Sequence, residues 1–275
     1  MSRSFRSKLD TGLIAFYLVC VAILLFITLP ILTILAYSVI GSFDGGLIPS
    51  FTLEHYAGVI EANSDPILLS LQVAVATTIL TVAIGVPAAY TLVRYDFRFN
   101  SVIRELSILP MAIPGIVIGI GIVRVWGVPR LGIDLAGSTG LIILAHSLFT
   151  VPFVIQTTMS ALESIDFRRL EESARSLGAG WAKTFFLVIV PHIYTGILSG
   201  AVLVFALSMG EFNITFFIYS SLNTTLPIAL FGGFRTATVG EASALASLFI
   251  GIVLVSIVLI QTISDTGLRT SGGNI

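Results

Sequence analysis

The stretch LIAFYLVCVAILLFITLPILTILAYSVI, residues 13–40, decides the fold class of this chain. It contains no charged residue, and it exceeds the ~20 residues that an α-helix needs to cross the hydrocarbon of a bilayer. It is also about twice as long as the apolar core of a signal peptide, and no small-residue cleavage site closes it. We therefore predict a retained membrane span, preceded by a polar N-terminal tail at residues 1–12.

The composition extends this prediction to the whole chain. Apolar residues make up 56% of the sequence and charged residues only 11%, whereas soluble domains average ~25% charged residues. So little charge cannot coat a soluble domain of 275 residues. The net charge of −1 provides no basic excess to neutralise phosphates, so nucleic acid is excluded as a partner. Cys20 is the single cysteine, so neither an internal disulfide nor a cysteine metal site is expected.

Six apolar stretches of suitable length follow one another along the chain, and we predict one helical span for each. They cover residues 13–39, 67–93, 107–127, 139–161, 193–220 and 243–263. Prolines within or beside them are tolerated, because neighbouring helices satisfy the freed backbone groups. The expected fold is an all-α integral membrane protein with a transmembrane domain at 13–265 and a C-terminal tail at 266–275.

The distribution of basic residues predicts the orientation. With a cytoplasmic N-terminus, the inner segments hold eleven of the fourteen Lys and Arg residues, and the outer side holds Arg124, Arg130 and Arg235. The first outer loop, residues 41–65, carries four acidic residues and no basic residue. Under the positive-inside rule, both termini are therefore expected in the cytoplasm.

Residues 162–192 form a long polar segment between the fourth and fifth predicted spans. Its sequence from 164 to 191 is SIDFRRLEESARSLGAGWAKTFFLVIVP. Asp166 suits the N-cap of a helix, and Gly178 suits the left-handed position that ends one. The apolar residues of this helix are expected on one face: Phe167, Leu170, Ala174 and Leu177.

On the opposite face of this helix, Glu171 and Arg175 are four residues apart and are expected to pair on the solvent side. The result is a short amphipathic helix at the cytoplasmic side of the membrane. Amphipathicity alone leaves two interpretations open. The helix rests on lipid, or it presents its apolar face to a partner.

The spacing within this segment favours a partner. Glu172-Ser173-Ala174, three residues, Gly178, nine residues and then Val188-Ile189-Val190-Pro191 resembles the EAA signature of ABC importer permeases, E-A-A-x3-G-x9-I-x-L-P. Serine at position 173 replaces one alanine, and valine replaces isoleucine and leucine. Four further phrases resemble the polyamine, opine and phosphonate branch of that family: FTLEHYAGV (51–59), ILPMAIPGIVIGIGI (108–122), HSLFTVPFVI (146–155) and LSMGEFNITFFIYSSLNTTLPIALF (207–231).

The resemblance implies the fold of a type I importer permease in the bacterial inner membrane. The chain would form half of the translocation pathway for a small organic solute. Permeases for spermidine, putrescine or 2-aminoethylphosphonate are the most similar, and those for ferric iron, thiamine or opines are alternatives. The implied partners are an ATPase homodimer, a second permease, an extracytoplasmic substrate-binding protein and the lipid bilayer.

The resemblance also implies that the segment contains a coupling helix, which binds the ATPase and carries its movement into the membrane. The residues that would couple are Glu171, Glu172, Ser173, Ala174, Leu177 and Gly178. Glu172 would contact the ATPase, Ala174 and Leu177 would pack in its groove, and Gly178 would make the turn. The chain has no Walker A motif, so ATP and Mg would bind to the partner. No cofactor, catalytic residue or metal site is expected in this chain.

Glu211 is the single acidic residue within a predicted span, where a carboxylate costs about 2.5–3.5 kcal/mol. Three interpretations of Glu211 are open. The carboxylate lines the pathway and attracts a substrate ammonium, it is hydrogen-bonded to a neighbouring helix or partner, or it is protonated in place. Asn213 and Thr215 lie within one turn and are candidates to share its face or its hydrogen bonds.

The third span is predicted to be a bent wall of the pathway. Pro114 is expected to contribute to the bend. Gly115 and Gly119 form a G-x-x-x-G pattern that permits close approach of a second helix.

His146 is expected to form hydrogen bonds at a helix contact rather than to carry protons. It is too far from His55 and His192 in the sequence for a metal cluster. Two other functions fit the sequence less well. An ion-coupled secondary transporter would normally have more spans, internal repeats and intramembrane ion ligands. A structural membrane subunit would leave the coupling segment unexplained.

Overall fold

The computed structural model describes residues 3–41, 50–127 and 135–271, with side chains between residues 13 and 262 of those ranges. Both predicted tails lie outside the described side chains, as do five of the basic residues counted for the orientation: Arg3, Arg6, Lys8, Arg130 and Arg269. The helices are, in chain order, α1 (Arg3–Tyr37), α2 (Glu54–Arg94), α3 (Asn100–Ala112), α4 (Gly115–Trp126), α5 (Thr139–Glu163), α6 (Phe167–Ser176), α7 (Trp181–Thr184), a π-helical turn (Phe185–Ile189), α8 (Val190–His192), α9 (Tyr194–Met209), α10 (Thr215–Ile218), α11 (Leu226–Thr236) and α12 (Val239–Ser271).

Four of these helices are long and apolar enough to cross a membrane: α2, α5 and the apolar parts of α1 and α12. Two bent pairs also qualify. Helices α3 and α4 meet at 102°, and Trp181–His192 meets Tyr194–Met209 at 74°. The described ranges therefore provide four spans, or six if each bent pair counts as one. The all-α prediction is confirmed, since these ranges show no β-structure beyond an isolated bridge between Ile40 and Phe51.

Two of the predicted spans are interrupted rather than continuous helices. The third, predicted at 107–127, breaks at Ile113, which is extended (φ −88°, ψ 127°) because it precedes Pro114. The expected bend at the prolines is confirmed. The fifth, predicted at 193–220, ends as a helix at Met209. A non-helical segment then leads to the single turn of α10.

The glycines of α4 face this non-helical segment. A Cβ on Gly115 would lie 3.1 Å from the Cβ of Asn213, and one on Gly119 would lie 3.0 Å from the carbonyl oxygen of Ile214. The close approach predicted from the G-x-x-x-G pattern is confirmed. Its partner is the chain between Glu211 and Phe217 rather than a long helix.

The chain forms two compact units. One comprises residues 1–62 and 232–250, and within it the Tyr56 hydroxyl lies 2.8 Å from Ser38 Oγ and 2.7 Å from Ser247 Oγ. The other comprises residues 63–231 and 251–275, and it contains every candidate site residue. Its main core consists of Val86, Tyr90, Val154, Leu162, Phe167, Phe185, Ile189, Ile193 and Val204.

Helices α5 and α9 pack closely because a glycine lies at their contact. A Cβ on Gly196 would clash with Ala161 Cβ, and it would lie 3.0 Å from the Thr157 carbonyl oxygen. We expect Gly196→Ala to destabilise the protein by about 1–3 kcal/mol through overpacking. Thermal unfolding of the purified protein measures this loss. Gly121→Ala is the control, because nothing lies within 4 Å of its Cβ. An equal loss in both variants would contradict the packing.

Candidate functional site

Helix α6 is fixed at both ends by local hydrogen bonds. At its start, the backbone N–H of Arg169 donates to Asp166 Oδ1 at 3.4 Å. At its end, Gly178 has a φ of +82°, and the N–H groups of Gly178 and Ala179 donate to the carbonyls of Arg175 and Ala174. This is the Schellman arrangement, which favours glycine at the left-handed position. The predicted N-cap and helix end are confirmed.

The apolar face of α6 packs against the chain itself. Phe167 and Ala174 are buried, and Phe167 belongs to the main core. A helix that rested on lipid, or that presented its apolar face to a partner, would turn this face outward, so both interpretations of the face are wrong. The prediction that Leu177 shares the face is also wrong, because Leu177 is the C-cap and its side chain is 89% exposed. Ala174 is not exposed for the predicted contact with a partner.

Glu171 also faces inward, with a side chain that is 2% exposed. Its Oε1 accepts a hydrogen bond from the Tyr90 hydroxyl and its Oε2 accepts one from Arg94 Nε, both at 2.5 Å. Arg175 Nη2 is more distant, at 4.0 Å from Oε2. The predicted pair of Glu171 and Arg175 is present at this longer distance, but its predicted place on the solvent side is wrong, because Glu171 is buried. A buried carboxylate requires hydrogen-bonded partners, and α2 supplies them. The burial of Glu171 does not suit its predicted contact with a partner.

The opposite face of α6 is exposed and charged. We call it the α6 surface, and it comprises Arg168, Arg169, Glu172, Ser173, Arg175, Leu177 and Gly178. Its arginines outnumber its single acid, so its charge is positive. Four of the six predicted coupling residues belong to this surface: Glu172, Ser173, Leu177 and Gly178.

Glu211 lies in the non-helical segment after α9, and it is buried. Both carboxylate oxygens accept from the backbone N–H of Ile214 at 2.9 Å. Its Oε2 also accepts from the backbone N–H of Thr215 at 3.0 Å and from Thr215 Oγ1 at 3.2 Å. This geometry favours the hydrogen-bonded interpretation of Glu211. The partners lie in the next turn of the same chain, rather than on the predicted neighbouring helix.

His146 connects α5 to the same group. Its Nδ1 lies 2.8 Å from Ser208 Oγ, and its Nε2 lies 2.8 Å from Thr215 Oγ1. Glu211 Oε2 is 3.8 Å from Nε2. The prediction that His146 forms hydrogen bonds at a helix contact is confirmed. We call Ser208, Glu211, Thr215 and His146 the His146 cluster. It holds together α5, α9 and α10.

The four predicted pathway residues divide into two pairs. Glu211 and Thr215 are buried members of the His146 cluster. Asn213 and Pro114 are exposed. Of the four residues, these two are the ones that a solute could contact. Across the described residues, no group of three or more His, Cys, Asp or Glu side chains is arranged to hold a metal ion.

Three residues of these sites escape sequence reasoning: Tyr90, Arg94 and Ser208. Tyr90 and Arg94 lie 81 and 77 residues before Glu171, and no local pattern links them to it. The spacing of Tyr90 and Arg94 is the one sequence feature that could have identified them. Two polar side chains four residues apart lie on one face of a helix, and here they lie at the end of a span.

Residues 81–270 match the family model described as binding-protein-dependent transport system inner membrane component. The chain is 33% identical over 198 residues to a probable molybdenum ABC transporter permease of Haloferax volcanii, over 70% of this chain and 73% of that protein. It is 27% identical over 245 residues to the putative 2-aminoethylphosphonate permease PhnV of Salmonella typhimurium, over 89% and 91%. It is 31% identical over 196 residues to the putrescine permease PotI of Escherichia coli, over 70% and 69%.

The fold is similar to that of a solved chain from a bacterial alginate ABC transporter in complex with an alginate pentasaccharide-bound periplasmic protein. The TM-score is 0.73 at 16% identity, over 96% of this chain and 97% of that chain. The family match includes both α6 and the His146 cluster. The chain therefore belongs to the inner membrane components of binding-protein-dependent transport systems, and it is an ABC transporter permease rather than an enzyme.

Proposed function

We propose that this chain forms half of the translocation pathway of an ATP-driven importer for a small organic solute. The observation that carries the proposal is α6. It is a helix of 10 residues, capped at both ends, buried on one face and charged on the other. An ATPase partner would bind the α6 surface and supply the energy, because the sequence has no Walker A motif of its own.

A rigid helix turns the movement of a bound partner into displacement of the elements to which it is attached. The caps at Asp166 and Gly178 keep α6 rigid, and Phe167 and Glu171 attach it to the body of the chain. The positive charge of the α6 surface suits an acidic rim on the ATPase. Leu177 supplies an apolar anchor for a pocket. ATP and Mg would be held by an ATPase homodimer.

Two further partners belong to the proposal. Residues Leu13–Tyr37 of α1 form an apolar span, and lipid or a second permease would contact it. The second half of the pathway would come from that second permease. The alginate transporter was solved with a periplasmic protein, which supports an extracytoplasmic substrate-binding protein as the third partner.

For the solute, we propose an aminophosphonate. The Salmonella permease matches 89% of this chain, against 70% for the molybdenum and putrescine permeases. Glu211 gives little support to a polyamine, because its oxygens already accept hydrogen bonds from Ile214 and Thr215. Calorimetric titration of the cognate binding protein with 2-aminoethylphosphonate, putrescine and molybdate tests the choice. Tightest binding of putrescine or molybdate would contradict it.

Leu177→Asp tests the α6 surface. The variant is expected to fold normally, because the side chain is 89% exposed in the chain. It is expected to bind much less of the ATPase, because a charge placed in an apolar pocket at an interface costs about 2 kcal/mol or more of binding free energy. The measurement is the amount of ATPase that co-purifies with the tagged permease.

Leu222→Asp is the matched control. Leu222 is 90% exposed but lies between α10 and α11, outside the α6 surface. It should retain the ATPase at the wild-type level. Equal retention by the two variants, or equal loss from both, would contradict the proposed binding surface.

A further inference from the structure

Glu171 connects α6 to α2 through two directional bonds. The donors, Tyr90 Oη and Arg94 Nε, are each 2.5 Å from a carboxylate oxygen. Tyr90 and Arg94 are four residues apart at the end of α2, so they present their donors from one face. Because Glu171 is only 2% exposed, water scarcely competes for its carboxylate.

The other attachments of α6 within the chain are less directional. Phe167 and Ala174 are buried by apolar packing, which has no preferred direction and permits sliding. Arg175 lies 4.0 Å from Glu171 Oε2 and is half exposed, so it adds charge without a close hydrogen bond. In the described part of the chain, the side-chain hydrogen bonds from α6 to α2 are those of Glu171.

Tyr90 is held on its other side as well. Its ring packs edge-on against Phe185, with ring centroids 5.0 Å apart and an interplanar angle of 64°. Phe185 begins the π-helical turn that precedes α8, and both rings belong to the main core. Tyr90 therefore contacts α6 and the π-helical turn from the end of the second span.

We propose that Glu171 is a positioning residue that fastens α6 to α2, so that a displacement of α6 moves the second span. The inference rests on the proposed function and deepens it, because it names the span that receives the movement. Tyr90 and Arg94 are the receiving groups. Without this link, the α6 surface still binds the ATPase and ATP is still hydrolysed. When the ATPase then displaces α6, the apolar face of α6 slides over the core and the second span does not move.

The test uses the complete transporter in proteoliposomes, with its ATPase and binding protein, and measures solute imported per ATP hydrolysed. Glu171→Gln and Arg94→Gln are each expected to retain the ATPase and to lower this ratio about tenfold. The double variant should be no worse than either single variant, because both changes remove the same link. Additive losses, accompanied by loss of the ATPase, would indicate a merely structural role and overturn the inference.

An exposed ion pair provides the matched control. Arg104 Nη2 lies 2.7 Å from Glu163 Oε1, and both side chains are 46% exposed. Neutralising this pair with Arg104→Gln and Glu163→Gln should leave the ratio unchanged, because exposed pairs contribute little. An unchanged ratio in Glu171→Gln would overturn the inference and leave the proposed function standing. A wild-type permease that binds no ATPase would overturn the proposed function itself.

If Glu171→Gln fails to assemble, a second measurement tests whether α6 and α2 move together. Thr91 on α2 and Ser176 on α6 are both exposed and accept spin labels as Thr91→Cys and Ser176→Cys in a Cys20→Ser background. The distance between the labels should be the same in the nucleotide-free and ATP-bound transporter, because the two helices move together. A change of about one helical turn, ~5 Å, would overturn the inference.

Discussion

Gly178→Val is expected to lower ATP-dependent uptake by about tenfold or more, while the chain still reaches the membrane. Gly178 has a φ of +82°, where a residue with a Cβ is strained by roughly 1–2 kcal/mol and a β-branched one by more. Unwinding the end of α6 relieves the strain. It also breaks the hydrogen bonds to the carbonyls of Arg175 and Ala174. Leu177 then loses its fixed position on the α6 surface.

Gly180→Val is the matched control for this prediction. Gly180 has an ordinary extended conformation, with φ −73° and ψ 168°. Nothing lies within 4 Å of a Cβ built at either glycine, so neither substitution produces a clash in the chain. A difference in uptake between the variants therefore reports backbone conformation. Normal uptake by Gly178→Val would contradict the assignment of α6 as the coupling helix.

The second large effect is expected at Glu211. Removing its carboxylate leaves the N–H groups of Ile214 and Thr215 without their acceptor in a buried place. Each unsatisfied group costs about 1–3 kcal/mol, so we expect Glu211→Ala to lower the free energy of unfolding by about 3 kcal/mol. Glu211→Gln keeps one acceptor oxygen and should lose less. Thermal unfolding in detergent, without solute, measures both variants.

Asn213→Ala separates this structural role from a pathway role. Asn213 is two residues away and exposed, so its truncation should leave stability within about 0.5 kcal/mol of wild type. Reduced uptake by a stable Asn213→Ala variant would fit its predicted place on the pathway. Wild-type stability of Glu211→Ala, together with reduced uptake, would show that the carboxylate serves the solute rather than the fold.

The ends of α6 were predictable because their causes are local. Asp166 accepts a backbone N–H three residues ahead, and Gly178 alone in this segment adopts the left-handed conformation that ends the helix. Both rules operate within a few residues of chain. The same holds for the break in the third span, where Pro114 forces the residue before it out of the helical conformation.

The partners of Glu171 were not predictable in this way. The spacing rule for helices correctly identified Arg175 as a neighbour, but it applies to charges on an exposed face. Burial against α2 gave Glu171 closer partners, Tyr90 and Arg94, which are distant in sequence. The exposure of Leu177 has a similar origin. The periodic pattern continues through residue 177, but the helix ends at Ser176.

The end of the helix in the fifth span was not predictable from its composition. Residues 210–220 are largely apolar, so hydropathy extends the span through them. The carboxylate of Glu211 instead accepts hydrogen bonds from the backbone N–H groups of the next turn. These bonds stabilise a non-helical segment inside an apolar stretch. A sequence window cannot distinguish this use of a carboxylate from one that faces a pathway.

Solute uptake into proteoliposomes tests most directly whether this chain is driven by an ATPase through α6. The vesicles would contain the permease, its second permease, the ATPase and the binding protein. We expect uptake only with ATP and ATPase present, and we expect Leu177→Asp to abolish it while Leu222→Asp does not. Uptake by the permease alone in response to an ion gradient, without ATP, would contradict this mechanism and indicate a secondary transporter.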